Sequence, residues 1–241
     1  MNESNIPKPT DVRMKGFAKR SSVGACIHWI DEHLSRLPAE QVSLEDAHQR
    51  VLASDIISSQ DVPQFIRSMM DGFAVQAADT AAASNYQPQR LTVLGESVPG
   101  KPFNGSVTQG TAVRIMTGAP LPDGADSVLP AEQVQIYADF ILAEGQVAPQ
   151  KHVGFPGEDI QQGTTVLTAA RILRPQDLGV LSSIGLSEIP VHCQPKVRII
   201  VTGNELLPPG SATTPFCIAD ANSPMLSALI SRDGGHVIHP G

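Results

Sequence analysis

The chain is poor in the residues that would brace it covalently or electrostatically. Its three cysteines, Cys26, Cys193 and Cys217, are odd in number, widely spaced and without a Cys-x-x-Cys pair. That excludes a disulfide framework and a cysteine-rich zinc site, and it fits a reducing compartment. Aromatic residues make up 4% and charged residues 17% of the chain, with 24 acidic side chains against 17 basic ones. The net charge of -7 argues against a nucleic-acid partner, which needs a basic face to neutralise phosphates. An anionic small substrate stays open, because amides, isolated cations or a bound divalent cation can supply a local positive field. No apolar run is long enough to span a bilayer, and the N-terminus carries no apolar h-region. No membrane partner is expected, and the cytoplasm is the expected location.

What the chain does have is turns. It holds 20 glycines and 20 prolines with no repeat, the mark of turn-rich β structure. Its length of 241 residues suits two domains, or one large domain with an insertion. Residues 1–20 are polar, contain Pro7 and Pro9, and read as a flexible extension. Ser21-Ser22 offers an N-cap, and Val23, Ile27, Ile30, Leu34 and Leu37 form one helical stripe that ends at Pro38. Ser43-Leu-Glu-Asp46 resembles a capping box and predicts a second short helix from Leu44 to about Val51. Between Leu91 and Val147 short β-type runs alternate with Gly, Pro, Asn and Asp, which predicts a small barrel or sandwich. Gly95–Lys101 nearly matches a phosphate-binding P-loop, but Pro102 replaces the magnesium-holding Ser or Thr and no helix follows. Near Pro175 a helix begins, burying Leu178, Leu181 and Ile184, with Gly185 as its cap. From Lys196 the pattern changes: Val197–Val201 reads as a buried parallel strand, and the stretch to Gly241 as one βαβ unit.

Several polar groups stand out. The loop Arg114–Asp126 places Thr117 and Gly118 after a β-type run, then Pro120, Pro122, Asp123, Gly124 and Asp126. Such a loop is rigid and exposes its amides, though a plain surface connection reads the same way. Asp71 either shapes the Asp-Gly turn or presents a carboxylate, and local pattern leaves both open. Gly157-Glu-Asp159 is another acidic turn. Thr202-Gly-Asn-Glu205 follows the Val197 strand at the edge where open α/β sheets bind ligands, and Asp220 to Asn222 precede a helix.

Taken together, Ser68–Val75, Arg114–Asp126, Gly157–Ile160, Leu173–Asp177, Val201–Leu206 and Ile218–Asn222 resemble the motifs of the molybdopterin molybdenumtransferase family, the MoeA proteins and the C-terminal domain of gephyrin. They occur in the family's order across almost the whole chain after Ser21. The resemblance implies an enzyme that inserts molybdate into adenylated molybdopterin and releases AMP, with a divalent cation such as Mg2+. It implies catalytic roles for Asp71, Thr117, Asp159 and Glu205, with Asp71, Asp159 and Glu205 holding the metal. By the same resemblance Gly118, Gly203, Asp220 and Asn222 lie at the cofactor site. A homodimer with a shared site is implied, together with a protein that donates the adenylated substrate. The opposing reading is an interaction scaffold on the same fold.

The fold expected is multidomain α/β plus β. Residues 21–66 and 158–195 make one discontinuous α/β domain around a β-rich, barrel-like insertion at 67–157. Residues 196–241 begin a parallel-sheet, MogA-like domain. Two departures from the family are visible. The approach to Gly157 is His152-Val-Gly-Phe-Pro156 and lacks the arginines many members carry, and the later Ser-Gly-Gly loop and C-terminal β domain are absent. If the polypeptide ends at Gly241, the incomplete βαβ unit predicts exposed apolar strands and no turnover.

Overall fold

The computed structural model describes residues 21–212 and 214–238, so the extension expected over 1–20 lies outside the described residues. The chain divides into two compact bodies, the first ending at Pro38 and the second starting at Ala39. The first carries α1 (Val23–His33), whose first turn is closed by the Ser22 hydroxyl accepting from the amide of Ala25 at 3.1 Å. The helix stops earlier than Pro38, because Leu34 is already extended. Its stripe of Val23, Ile27, Ile30 and Leu34 is exposed, and Trp29 stacks on His33 one turn along.

The second body is mixed α/β. Its strands run β1 (Ala39–Ser43), β2 (Ile56–Ile57), β3 (Arg67–Ser68), β4 (Gly72–Val75), β5 (Gln89–Ser97) and β6 (Thr111–Ile115). They continue as β7 (Ser127–Pro130), β8 (Val134–Ile136), β9 (Phe140–Ala143), β10 (Val153–Gly154), β11 (Thr165–Leu167) and β12 (Glu188–His192). Strands β4 to β9 form one six-stranded sheet in the order β7-β4-β6-β5-β9-β8, antiparallel except where β5 meets β6. Its two edge strands, β7 and β8, are joined only by the turn Ala131–Gln133. Such a link spans about 14 Å at most, whereas the edges of a flat six-stranded sheet lie about 24 Å apart. The sheet is therefore curled into a half-barrel, with Phe73, Val75, Leu91, Leu129 and Ile141 packed together. A second cluster of Val107, Val113, Ile115 and Val128 packs separately. The strand reading of 91–147 matches what is observed, and 3-10 turns are the sole helical pieces there among the described residues.

Chain segments far apart in sequence close around another core. Strand β1 pairs with β12 and β2 with β11, and Leu52, Ile56, Leu167, Leu173, Leu181 and Ile189 share one buried cluster. The helix α2 (Pro175–Ser183) caps it, with Pro175 in the first turn, Leu181 and Ile184 buried, Leu178 partly buried against them, and Gly185 at positive φ as the sequence predicts. Asp177 is buried beneath it, accepting from the backbone of Arg174 at 2.9 Å and pairing with Arg171 and Arg174. The Arg174 side-chain bond, ahead of its backbone bond and the neighbouring charges, lowers the pKa of Asp177 to about 2 against the opposing effect of burial.

Two local expectations change, and the sequence's near-match to a P-loop finds another explanation. The helix expected over Leu44–Val51 is a 3-10 turn of Glu45–Ala47. The Ser43–Asp46 cap does form, yet Val51 and Leu52 bridge to Ile172 and Val191, and that long-range pairing overrides local helical preference. In the P-loop-like stretch, Gly95 serves packing, since a Cβ there would lie 2.8 Å from the Phe103 ring, and Gly100 serves a turn at positive φ. Finally, β13 (Lys196–Arg198) is short and stops before Ile199. Two further short strands, β14 (Leu206–Leu207) and β15 (Ile218–Ala219), pair in parallel before α3 (Asn222–Arg232), and β16 (His236–Ile238) then pairs in parallel with β13. From His192 to Ile238 no described residue is buried, so the two-sided cover expected for a parallel strand is missing.

Candidate functional site

The site begins at the turn between β3 and β4. Gly72 leads β4 between β6 and β7, where a Cβ would sit 2.0 Å from the carbonyl oxygen of Leu129. Only glycine permits that approach, and it fixes Asp71 at the mouth of the sheet. The Asp71 carbonyl accepts from the amide of Ala131 at 3.1 Å. Its carboxylate takes two bonds on Oδ1, from the amide of Thr117 at 2.7 Å and from the Thr117 hydroxyl at 2.8 Å. Those bonds, the amide's first, hold Asp71 below its ordinary pKa. Among the described residues Oδ2 accepts no hydrogen bond, so an ionised oxygen remains available.

The loop after β6 is pinned from three sides. Gly118 is at positive φ and donates to Ser68 at 2.8 Å, while Ser68 donates back to Ala119 at 2.9 Å. The Ser97 hydroxyl donates to Pro120 at 2.8 Å. Asp126 accepts from the amide of Ala77 at 2.7 Å, a structural tie that accounts for this carboxylate. Of the loop's polar groups, Thr117 is the one turned to another candidate residue.

Strand β3 also reaches the Asp159 loop. It pairs with β10, matching Gly154 to Arg67, and the chain then turns through Phe155–Asp159. Asp61, Val62 and Pro63 hold that turn through bonds from the amides of Gln162, Asp159 and Gly157. The Arg67 guanidinium meets Asp159 Oδ2 at 3.3 Å. Residues 157–161 and 164–166 line an open groove of about 390 Å3 beside it. Three residues separate Arg67 from Asp71, a reach of about 14 Å at most over the four Cα steps. The fold thus gathers Asp71, Thr117, Gly118 and Asp159 around one short stretch. Sequence reading assigned no role to Arg67, whose signal was its place directly before the Ser68–Val75 motif.

Glu205, Gly203, Asp220 and Asn222 are not joined to that stretch by any described hydrogen bond or ion pair. Both Glu205 carboxylate oxygens lie 2.9 Å from where a Gly203 Cβ would be, so the side chain folds back over the glycine. Asp220 accepts from the amides of Asn222 and Ser223 at 2.9 and 3.1 Å, and the Ser223 hydroxyl donates to its other oxygen. These bonds, the Ser223 hydroxyl's first, lower its pKa and give it the work of starting α3. Among the described residues no three His, Cys, Asp or Glu side chains are grouped to hold a metal ion. The donors of one chain therefore do not fit a complete cation site.

The MoeA N-terminal region family (domain I and II) matches residues 10–185. Molybdopterin molybdenumtransferase 2 of Mycobacterium tuberculosis is 39% identical over 197 residues, 82% of this chain and 48% of that protein. Molybdopterin molybdenumtransferase of Staphylococcus aureus is 33% identical over 212 residues, 88% of this chain and 51% of that protein. Among solved structures, the molybdopterin biosynthesis moeA protein of Pyrococcus horikoshii OT3 is 38% identical with a TM-score of 0.77, covering 85% of this chain and 54% of that one. The chain spans about half the length of these relatives. With the matched region covering most of its length, the chain belongs to the MoeA family.

Proposed function

We propose that the chain acts in molybdenum cofactor biosynthesis, contributing to an enzyme that inserts molybdate into adenylated molybdopterin with release of AMP. The observation that carries this reading is the Asp71–Thr117 pair, two hydrogen bonds that keep a carboxylate ionised with one oxygen open. Such a group can orient a water at the substrate's pyrophosphate or help hold a cation there. Asp159, on an exposed, backbone-pinned turn, is the second carboxylate of the site. Mg2+ is the cation the family implies, with Asp71, Asp159 and Glu205 as its ligands. These donors do not converge within one chain.

Glu205 and the Gly203 loop enter this reading through a second copy of the chain. Exposed apolar side chains support a homodimer: Val23, Ile27 and Leu34 on α1, and Phe65, Ile66, Met69, Met116 and Phe155 in the segments that carry the site. The shared core of 42–62 with 160–191 supports treating 67–157 as an inserted domain, with 196–241 as the start of a pterin-binding unit. The other protein partner is the one that delivers adenylated molybdopterin.

The test is molybdate-dependent AMP release from adenylated molybdopterin by the complete gene product. Asp71→Asn is expected to lower the rate about 100-fold with an unchanged melting temperature. If the unaltered protein binds the substrate and releases no AMP, the scaffold reading replaces this one.

A further inference from the structure

Arg67 has an unusual set of neighbours. Its guanidinium offers five N–H donors, and its one ion pair among the described residues is a 3.3 Å contact with Asp159, long for a charge-assisted bond. Its Nε is shielded from solvent and has no hydrogen-bond partner among the described residues. A buried donor without an acceptor is rare enough to require a reason. A second carboxylate is close by. Glu158 Oε2 lies 2.9 Å, and the Cγ of Arg67 3.3 Å, from the point where a Cβ on Gly154 would sit, with Met69 Sδ at 3.0 Å. Glycine at 154 lets these three side chains meet over the β3–β10 pair. The stem of Arg67 and the Glu158 carboxylate thus lie side by side over Gly154, while the guanidinium bonds to Asp159, the carboxylate that belongs to the site.

We propose that Arg67 is a positioning residue that serves Asp159 and Glu158 in turn. It holds Asp159 in place at rest, and it passes to Glu158, through its unpartnered Nε–H, when Asp159 engages substrate. The exchange keeps the half-buried guanidinium paired throughout, so Asp159 can leave without stranding a charge. Nothing is made or broken covalently, and no proton moves. The proposal rests on Asp159 being a site residue, as read above.

Two measurements separate the proposal from that reading. The first needs no activity: the Nε–H resonance of Arg67 in the 241-residue protein. In Asp159→Asn the resonance is expected to remain protected from exchange and to shift, because Glu158 takes over. In Asp159→Asn with Glu158→Gln it is expected to be lost. Loss in Asp159→Asn alone, or retention in the double variant, would overturn the exchange. The second is AMP release by the complete gene product. Arg67→Ala should lower kcat at least tenfold with KM and melting temperature little changed, and Arg67→Lys should restore part of it. A lowered melting temperature with kcat per folded molecule unchanged would make Arg67 a structural residue and overturn the proposal. Absence of AMP release by the unaltered protein would instead fail the functional reading, leaving the resonance to decide whether the pair exchanges.

Discussion

Asp71 and Glu205 each sit near a glycine whose missing side chain matters, and the two glycines face different things. At Gly72 a Cβ would meet the backbone of β7 at 2.0 Å, in the middle of a six-stranded sheet. At Gly203 it would meet the mobile end of the Glu205 side chain at 2.9 Å, in a segment with no buried residue. The first carboxylate is placed by a packed ladder, while the second is placed by a local fold-back. The difference teaches that one motif grammar yields a fixed site only where long-range pairing and burial stand behind it.

The sharpest way to break that contrast is Gly72→Ala. The new methyl would have to push the edge strand β7 off β4, and a loss of about 4 kcal/mol is expected, read from chemical unfolding. Thr117 and Asp71 would separate with it. A variant that unfolds like the parent would show that β7 yields easily, and the distinction between the two sites would collapse.

Next in size is Asp177→Ala, at the base of α2. It removes the bonds to Arg171 and Arg174 and the cap on the first turn, with an expected loss of about 2 kcal/mol. The pH dependence has a definite sign. The folded pKa of about 2 lies below the unfolded value, so the stabilisation is full above about 3.9 and disappears as pH falls toward 2. Melting curves of parent and variant should therefore converge below pH 3. Curves that stay parallel down to pH 2 would assign the loss to packing.

The same contrast explains what could be read in advance. The strands of 89–143 were legible because alternation and turn residues coincide with a sheet that buries one face. Asp71, Thr117 and Asp159 were legible only through the family motifs, since an Asp-Gly turn looks alike with or without a function. Leu44–Val51 misled because the Ser43–Asp46 cap is real while the bridges from Val51 and Leu52 are invisible to any local pattern. Arg67 escaped for a similar reason: its partner, Asp159, lies 92 residues away. The Val197–Val201 run misled in the opposite sense, because β-branched residues favour a strand only when something packs on both its faces.

A smaller effect is expected at Gly203→Ala. Its φ of +150° is uncommon for residues with a side chain, and the Glu205 carboxylate must swing away. Both costs are local, so about 1 kcal/mol is expected, with Glu205 moved and the core unchanged. Loss of the cooperative unfolding transition would show that this segment supports the core after all.

The smallest effect should come from Asp220→Ala. Asp220 satisfies two amides and one hydroxyl at the start of α3, bonds that a methyl cannot replace. The helix exposes Met225 and Leu226 and carries no buried residue, so little tertiary packing would oppose fraying of its first turn. Amide exchange at Met225 to Ala228 should speed up several-fold, while exchange at Val113, Ile115 and Leu129 stays as in the parent. The separation of the two responses is what matters. If the sheet amides accelerated together with those of α3, the segment after His192 and the half-barrel would unfold as one unit. Asp220 would then stabilise the region that holds Asp71, and the weak segment would be part of what fixes the strong one.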